Sequence, residues 1–181
     1  MPANATAAAK PVRLFLALWP DQPTRDAIAA WQRSWDWPPH AALVQPERLH
    51  LTLHFLGNVP RHQLALLAAG LQVKAAPFEL RLERGEVWPK GVAVLCPEQT
   101  PPALRRLHRD LGNLLMALGL PLEPKPFRAH VTLARRASGA MPPATGPGWC
   151  WQLRHGYVLV RSLPGGAGYQ VLQRFSSTPG T

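Results

Sequence analysis

The chain is poor in cysteine, with two in 181 residues. Cys96 and Cys150 allow at most one bridge, which is no disulfide framework, and no Cys pair has zinc-ligand spacing. Free buried thiols are expected. The chain also lacks any apolar run approaching the length that crosses a bilayer. Its opening, "MPANATAAAKPVR", has no apolar stretch of signal-peptide length, so a cytoplasmic protein without a membrane partner is expected. It is short of acid as well: 10 Asp and Glu stand against 20 Lys and Arg, for a formal net charge of +10. Sixteen of the basic residues are Arg. Arg presents a planar fork suited to phosphate and stacks on bases, so an anionic partner is indicated, with nucleic acid first. Codon usage also produces Ala-, Leu-, Pro- and Arg-rich chains, and charge alone does not separate RNA from DNA or nucleotides.

What is present fits a folded protein. Hydrophobic residues make up 46%, enough for a packed core, and 21 prolines favour many short elements. The length suits one domain, or two small lobes sharing a core. "VRLFLALWP" reads as a buried strand. "DQPTRDAIAAWQRSW" reads as a helix capped by Asp21, with Ala27, Ile28, Trp31 and Trp35 at helical spacing. A second helix is expected over 60–75, and the strongest over "PPALRRLHRDLGNLLMALGL", where Leu104, Leu107, Leu111, Leu114 and Leu115 form one stripe. "FELRLER" alternates as a half-exposed strand. "GVAVLCP", "WCWQLRHGYVLVRSL" and "YQVLQRF" supply the remaining strands. The order β-α-β-α-β-β-α-β-β-β implies an α/β (α+β) fold, and a coarse echo between the halves suggests two similar lobes. A flexible leader is expected over 1–10, a single domain over 11–175 and a flexible tail over 176–181.

Two runs carry the chemistry: "HLTLHFLG" from His50 and "HVTLARR" from His130. In a strand, alternate side chains share a face. His50, Thr52 and His54 then point one way, while Leu51, Leu53 and Phe55 point into a core. His130 and Thr132 share a face in the second run. A helical reading would put His50 and His54 one turn apart as a metal pair. Leu51 occupies the place where the helical zinc motif needs a Glu, which argues against it. If the two faces meet across a cleft, one imidazole can take a proton from an attacking group while the other protonates a leaving oxygen. The Thr hydroxyls can hold phosphate oxygens. The scheme requires no metal and no cofactor.

These residues resemble the signatures of the two-histidine (2H) phosphoesterase superfamily, whose motif is His-x-Thr/Ser-x-apolar, twice. The closer resemblance is to the RNA 2′,3′-cyclic phosphodiesterases, also called 2′-5′ RNA ligase-like proteins. "RLFLALWP", "VQPERLHLTLHFLG", "KPFRAHVTLAR" and "GYQVLQRF" carry it, across roughly residues 12 to 175. The resemblance implies a two-lobed, pseudo-two-fold fold of mostly antiparallel sheets with flanking helices around a central groove. It implies opening of 2′,3′-cyclic phosphate RNA ends to 2′-phosphates, with reverse 2′-5′ joining in some members. Carried onto this chain, His50 and His130 are catalytic, with His130 inclined to base and His50 to acid, roles that exchange in the reverse direction. Thr52 and Thr132 hold the phosphate. Arg135 reaches a phosphate, and Phe15 stacks on a base. His54 and Tyr169 would line the groove. A monomer acting on RNA ends is expected. Two alternatives remain: a phosphodiesterase for a small cyclic nucleotide of the ADP-ribose 1″,2″-cyclic phosphate type, and a non-catalytic RNA-binding module.

Overall fold

The structure is a computed structural model, and it describes residues 10–176. Apart from Lys10 and Ser176, the expected leader and tail lie outside the described residues. Among the described residues, three α-helices and ten strands occur in the order β1 (Val12–Leu18), α1 (Gln22–Arg33), β2 (Ala42–Leu43), β3 (Leu51–Val59), α2 (Leu64–Gly70), β4 (Phe78–Arg81), β5 (Arg84–Trp88), β6 (Val92–Cys96), α3 (Pro102–Ala117), β7 (Val131–Arg135), β8 (Cys150–Leu153), β9 (Tyr157–Ser162) and β10 (Tyr169–Phe175).

The local chemistry explains the main elements. Asp21 caps α1 as expected, its Oδ1 accepting from Thr24 N at 3.0 Å, and Pro23 sits in the first turn. On α3 the stripe Leu104, Leu107, Leu111 and Leu115 is buried. Three expectations change. The second helix covers only seven residues: a 3-10 turn at Arg61–Gln63 precedes it, and 71–77 after it are irregular. The strand read across Phe78 to Arg84 is two: β4 pairs with β8, and β5 pairs with β6. "WCWQLRHGYVLVRSL" likewise divides into β8 and β9.

The main sheet has the order β10-β9-β1-β3-β7-β6-β5, with β2 paired to β7, and every pairing is antiparallel. Its centre is the junction of the two His-x-Thr strands. The unit β1-α1-β3 on one side is echoed by β6-α3-β7 on the other. Within the main sheet the following strands are exchanged: β5 of the first half pairs with β6, and β9 of the second pairs with β1. The small sheet joins β4 to β8 across the same divide. One face of the main sheet buries Leu14, Leu16, Leu51, Leu95, Val131 and Leu133 with the helices' Ile28, Leu104 and Leu111 in a single apolar core. The opposite face is left to form a groove.

Candidate active site

Strand registers build the site. Leu51 on β3 lies opposite Val131 on β7, and both face the core. His50 and His130 each stand one residue before these, at the entrance to the strand rather than inside it. In an antiparallel register the neighbours of that pair lie crosswise, so His50 faces toward Thr132 and Thr52 toward His130. All four line one cleft of about 350 Å³, together with Arg13, Phe15, Arg48, Phe55, Arg135 and Tyr169 among others.

Each imidazole is held in the same way. His50 Nδ1 lies 2.6 Å from the Arg48 carbonyl oxygen, and His130 Nδ1 lies 2.6 Å from that of Arg128. A carbonyl oxygen only accepts, so each Nδ1 carries the hydrogen and donates it. Nε2 is then the nitrogen left for proton exchange. Each ring also rests on a tryptophan. Trp19 stacks on His50 with centroids 5.3 Å apart and planes at 10°. Trp88 lies 4.5 Å from His130. Glu86 accepts from Trp88 Nε1 at 2.6 Å and pairs with Arg128 at 3.3 Å, and the Arg128 guanidinium sits 4.0 Å over the Trp88 ring.

Burial makes both imidazolium forms costly. It pushes His50 down to about 4, with the charges of His130 and Arg135 adding to it and the Arg48 carbonyl opposing. His130 is also lowered, by burial first and then by Arg128 and Arg135.

Two β-bulges decide what else reaches the groove. On β3, Thr52 pairs with Ala17 and His54 with Leu16, leaving Leu53 as an extra residue. On β7, Thr132 pairs with Val94 and Ala134 with Ala93, leaving Leu133 extra. A bulge moves every later side chain to the other face. Arg135, five residues after His130, is thereby turned into the cleft. By the same shift, Phe55 becomes groove-facing and 45% exposed, where alternation had put it in the core. His54 moves the opposite way, which corrects the expectation that it shares the face of His50. It is buried against α3, with Nε2 bonded to the His108 carbonyl oxygen at 2.8 Å and its ring stacked on His108 at 4.0 Å.

Phe15 needs a correction too. It lines the cleft floor, but the residue is 2% exposed, its ring packed 5.0 Å from His50, 5.1 Å from Tyr169 and 6.0 Å from Phe55. It has no free face for a base; the exposed rings are Phe55 and Tyr169. Tyr169 lines the groove as expected. Trp31, Trp35 and Trp37 pack on one another, whereas Trp19 belongs to the site. Sequence reasoning missed Arg13, Arg48 and Trp88. The pairing of β5 with β6 is what brings Trp88 alongside, and nothing local signals it.

The family model described as LigT-like phosphoesterase matches residues 18–94 and 94–145. The chain belongs to that family. Among curated relatives of this LigT-like phosphoesterase, the RNA 2′,3′-cyclic phosphodiesterase of Thermus thermophilus is 34% identical over 91% of this chain and 90% of its own length. The Escherichia coli K12 protein of the same name is 32% identical over 93% of this chain and 98% of its own. The crystal structure of E. coli LigT in apo form superposes with a TM-score of 0.81 at 30% identity, covering 94% of this chain and 99% of that one. The E. coli LigT complex with 3′-AMP gives 0.82 at 29% identity, over 93% and 99%.

Proposed function

We propose that this protein is an RNA 2′,3′-cyclic phosphodiesterase that hydrolyses the cyclic phosphate ends of RNA to 2′-phosphates. The observation that carries this reading is the Leu51–Val131 register, which sets two His-x-Thr units crosswise in one cleft with both Nε2 atoms available. The cyclic phosphate lies between the rings. His130 Nε2 takes a proton from water as its oxygen attacks phosphorus. His50 Nε2 gives a proton to the 3′ oxygen as the P–O3′ bond breaks, leaving the phosphate on O2′. Burial holds the His50 imidazolium down to about 4 in the free protein, so His50 takes up the proton it donates only with substrate in place. The anionic phosphate between the rings supports its protonated form. Thr52 and Thr132 donate to the non-bridging oxygens, and Arg135 adds charge where the transition state gathers it. With a 5′-hydroxyl end in place of water, the same step makes a 2′-5′ linkage: His130 takes the hydroxyl proton as that oxygen attacks phosphorus, and His50 again protonates O3′ as the P–O3′ bond breaks. The names of the relatives and the arginines lining the groove support RNA as the substrate.

The test is direct. An oligonucleotide ending in a 2′,3′-cyclic phosphate is incubated with the protein in excess EDTA, and the end groups are resolved. The 2′-phosphate is the expected product. A 3′-phosphate, or no opening of the ring, overturns the reading. A strict requirement for added metal overturns the acid–base scheme.

A further inference from the structure

One phosphate occupies the catalytic quartet, but the cleft continues beyond it. Arg13 lines the cleft and also two adjoining depressions. On β1 it sits between Asn58 of β3 and Ser162 of β9, on the same face as Phe15 two residues on, and Phe15 touches His50. One depression, beside Phe55 and Leu122, carries the carboxylate of Glu123. The other carries Asn58, Arg161, Ser162 and the loop Leu163–Gly166, with no carboxylate in its lining. Arg13 makes no ion pair with a carboxylate among the described residues. Charge therefore favours one exit for a polyanion, over Arg13 toward Asn58 and Ser162 and away from Glu123. A guanidinium fork with neighbouring amide and hydroxyl groups is the chemistry that binds a phosphodiester.

We infer that the trough over Arg13, between Asn58 and Ser162, is a second phosphate subsite. It takes the phosphate on the 5′ side of the nucleotide whose cyclic phosphate is being opened. The substrate class is then a polynucleotide end and not an isolated nucleoside cyclic phosphate. This rests on the phosphodiesterase reading and adds a chain direction to it.

The experiment compares kcat/KM for three substrates: a nucleoside 2′,3′-cyclic phosphate, its 5′-phosphorylated form, and a dinucleotide with the same cyclic end. The full-length protein and its Arg13→Gln and Arg13→Lys variants are assayed on each. The wild type is expected to favour the dinucleotide and the 5′-phosphorylated form over the bare nucleoside by about ten- to a hundredfold. That ratio falls toward one in Arg13→Gln and is intermediate in Arg13→Lys, which keeps the charge and loses the fork. The salt slope of log kcat/KM for the dinucleotide drops by about 0.7 in Arg13→Gln. A wild-type ratio near one, or a ratio unchanged in Arg13→Gln, overturns the subsite. Preference for the 5′-phosphorylated nucleoside with none for the dinucleotide overturns the polynucleotide class. If none of the three substrates turns over, the phosphodiesterase reading itself falls and the subsite falls with it.

Discussion

Leu51 of β3 lies directly opposite Val131 of β7, and among the described residues this is the single ladder position at which the two strands pair. It acts as a local pivot, with His50 and Thr132 to one side and Thr52 and His130 to the other. Histidines 80 positions apart in the chain meet because of this register.

Loss of either imidazole removes one proton-transfer role. His50→Ala and His130→Ala are each expected to lower kcat by about 10²–10⁴-fold. Binding of a 3′-phosphate oligonucleotide, measured by fluorescence anisotropy, changes little, since Arg13, Arg48 and Arg135 remain. A variant that turns over at the wild-type rate takes its histidine out of the mechanism.

The pH profile of kcat/KM is set by burial. Catalysis needs one proton on the pair, since one ring accepts while the other donates. Activity falls below about 4, where His50 charges and both rings are protonated. It falls again above the value for His130, which burial holds under the ordinary 6.5, because no proton is left to donate. A bell displaced to the acid side of neutrality is expected in initial-rate measurements with both limbs resolved.

Trp19 contributes to the acid limb. It covers one face of His50 in a stacked arrangement, keeping water from the ring. Trp19→Ala opens that face, lowers the cost of the charged form, and moves the acid limb upward toward ordinary imidazole behaviour. An acid limb that stays where it is would assign the desolvation to Phe15 and Tyr169 alone.

Gln32 is a buried polar residue with a specific task. Its Nε2 donates to the Leu133 carbonyl at 2.7 Å and to the Val44 carbonyl at 2.9 Å, and so grips the residue that forms the β7 bulge. Val44 N also donates to Leu133 O at 2.7 Å, so that carbonyl keeps a partner when Gln32 is lost, while the Val44 carbonyl does not. Gln32→Leu is expected to cost about 1–3 kcal/mol in urea unfolding. It should also lower kcat/KM several-fold, because Arg135 loses its fixed aim into the cleft. Loss of stability with unchanged kinetics would confine Gln32 to a structural part.

Gly85 marks a tight packing point on β5. A Cβ there would run into Trp35 and come within 2.7 Å of Trp31 and 2.8 Å of Pro142. Gly85→Ala is expected to destabilise the fold by about 1–3 kcal/mol through overpacking. Thermal melts should show the midpoint falling by about 2–4 °C per kcal/mol.

Elements with a strong period or cap were legible in the sequence: β1, the Asp21-capped α1, and α3 with its leucine stripe. The two His-x-Thr faces were legible as well, since alternation holds from His50 to Thr52 and from His130 to Thr132. Legibility stopped at the bulges. Leu53 and Leu133 look like ordinary strand residues, yet each reverses the faces of the residues after it. That is why Phe55 and His54 exchanged places relative to expectation. The partners of His130 were hidden for another reason. Trp88 and Glu86 arrive through a strand pairing some forty residues away in the chain, and Phe15 is buried by rings, from Phe55 and Tyr169, that no local pattern places over it.

The exchange of β5 and β9 between the halves makes each half structurally incomplete. A fragment ending before β6 would present β5 with nothing to pair with, and its β1 would have a bare flank where β9 belongs. Neither piece can assemble half a catalyst in advance of the other. The cleft is therefore a product of the whole sheet, and neither half of the chain carries a working share of it.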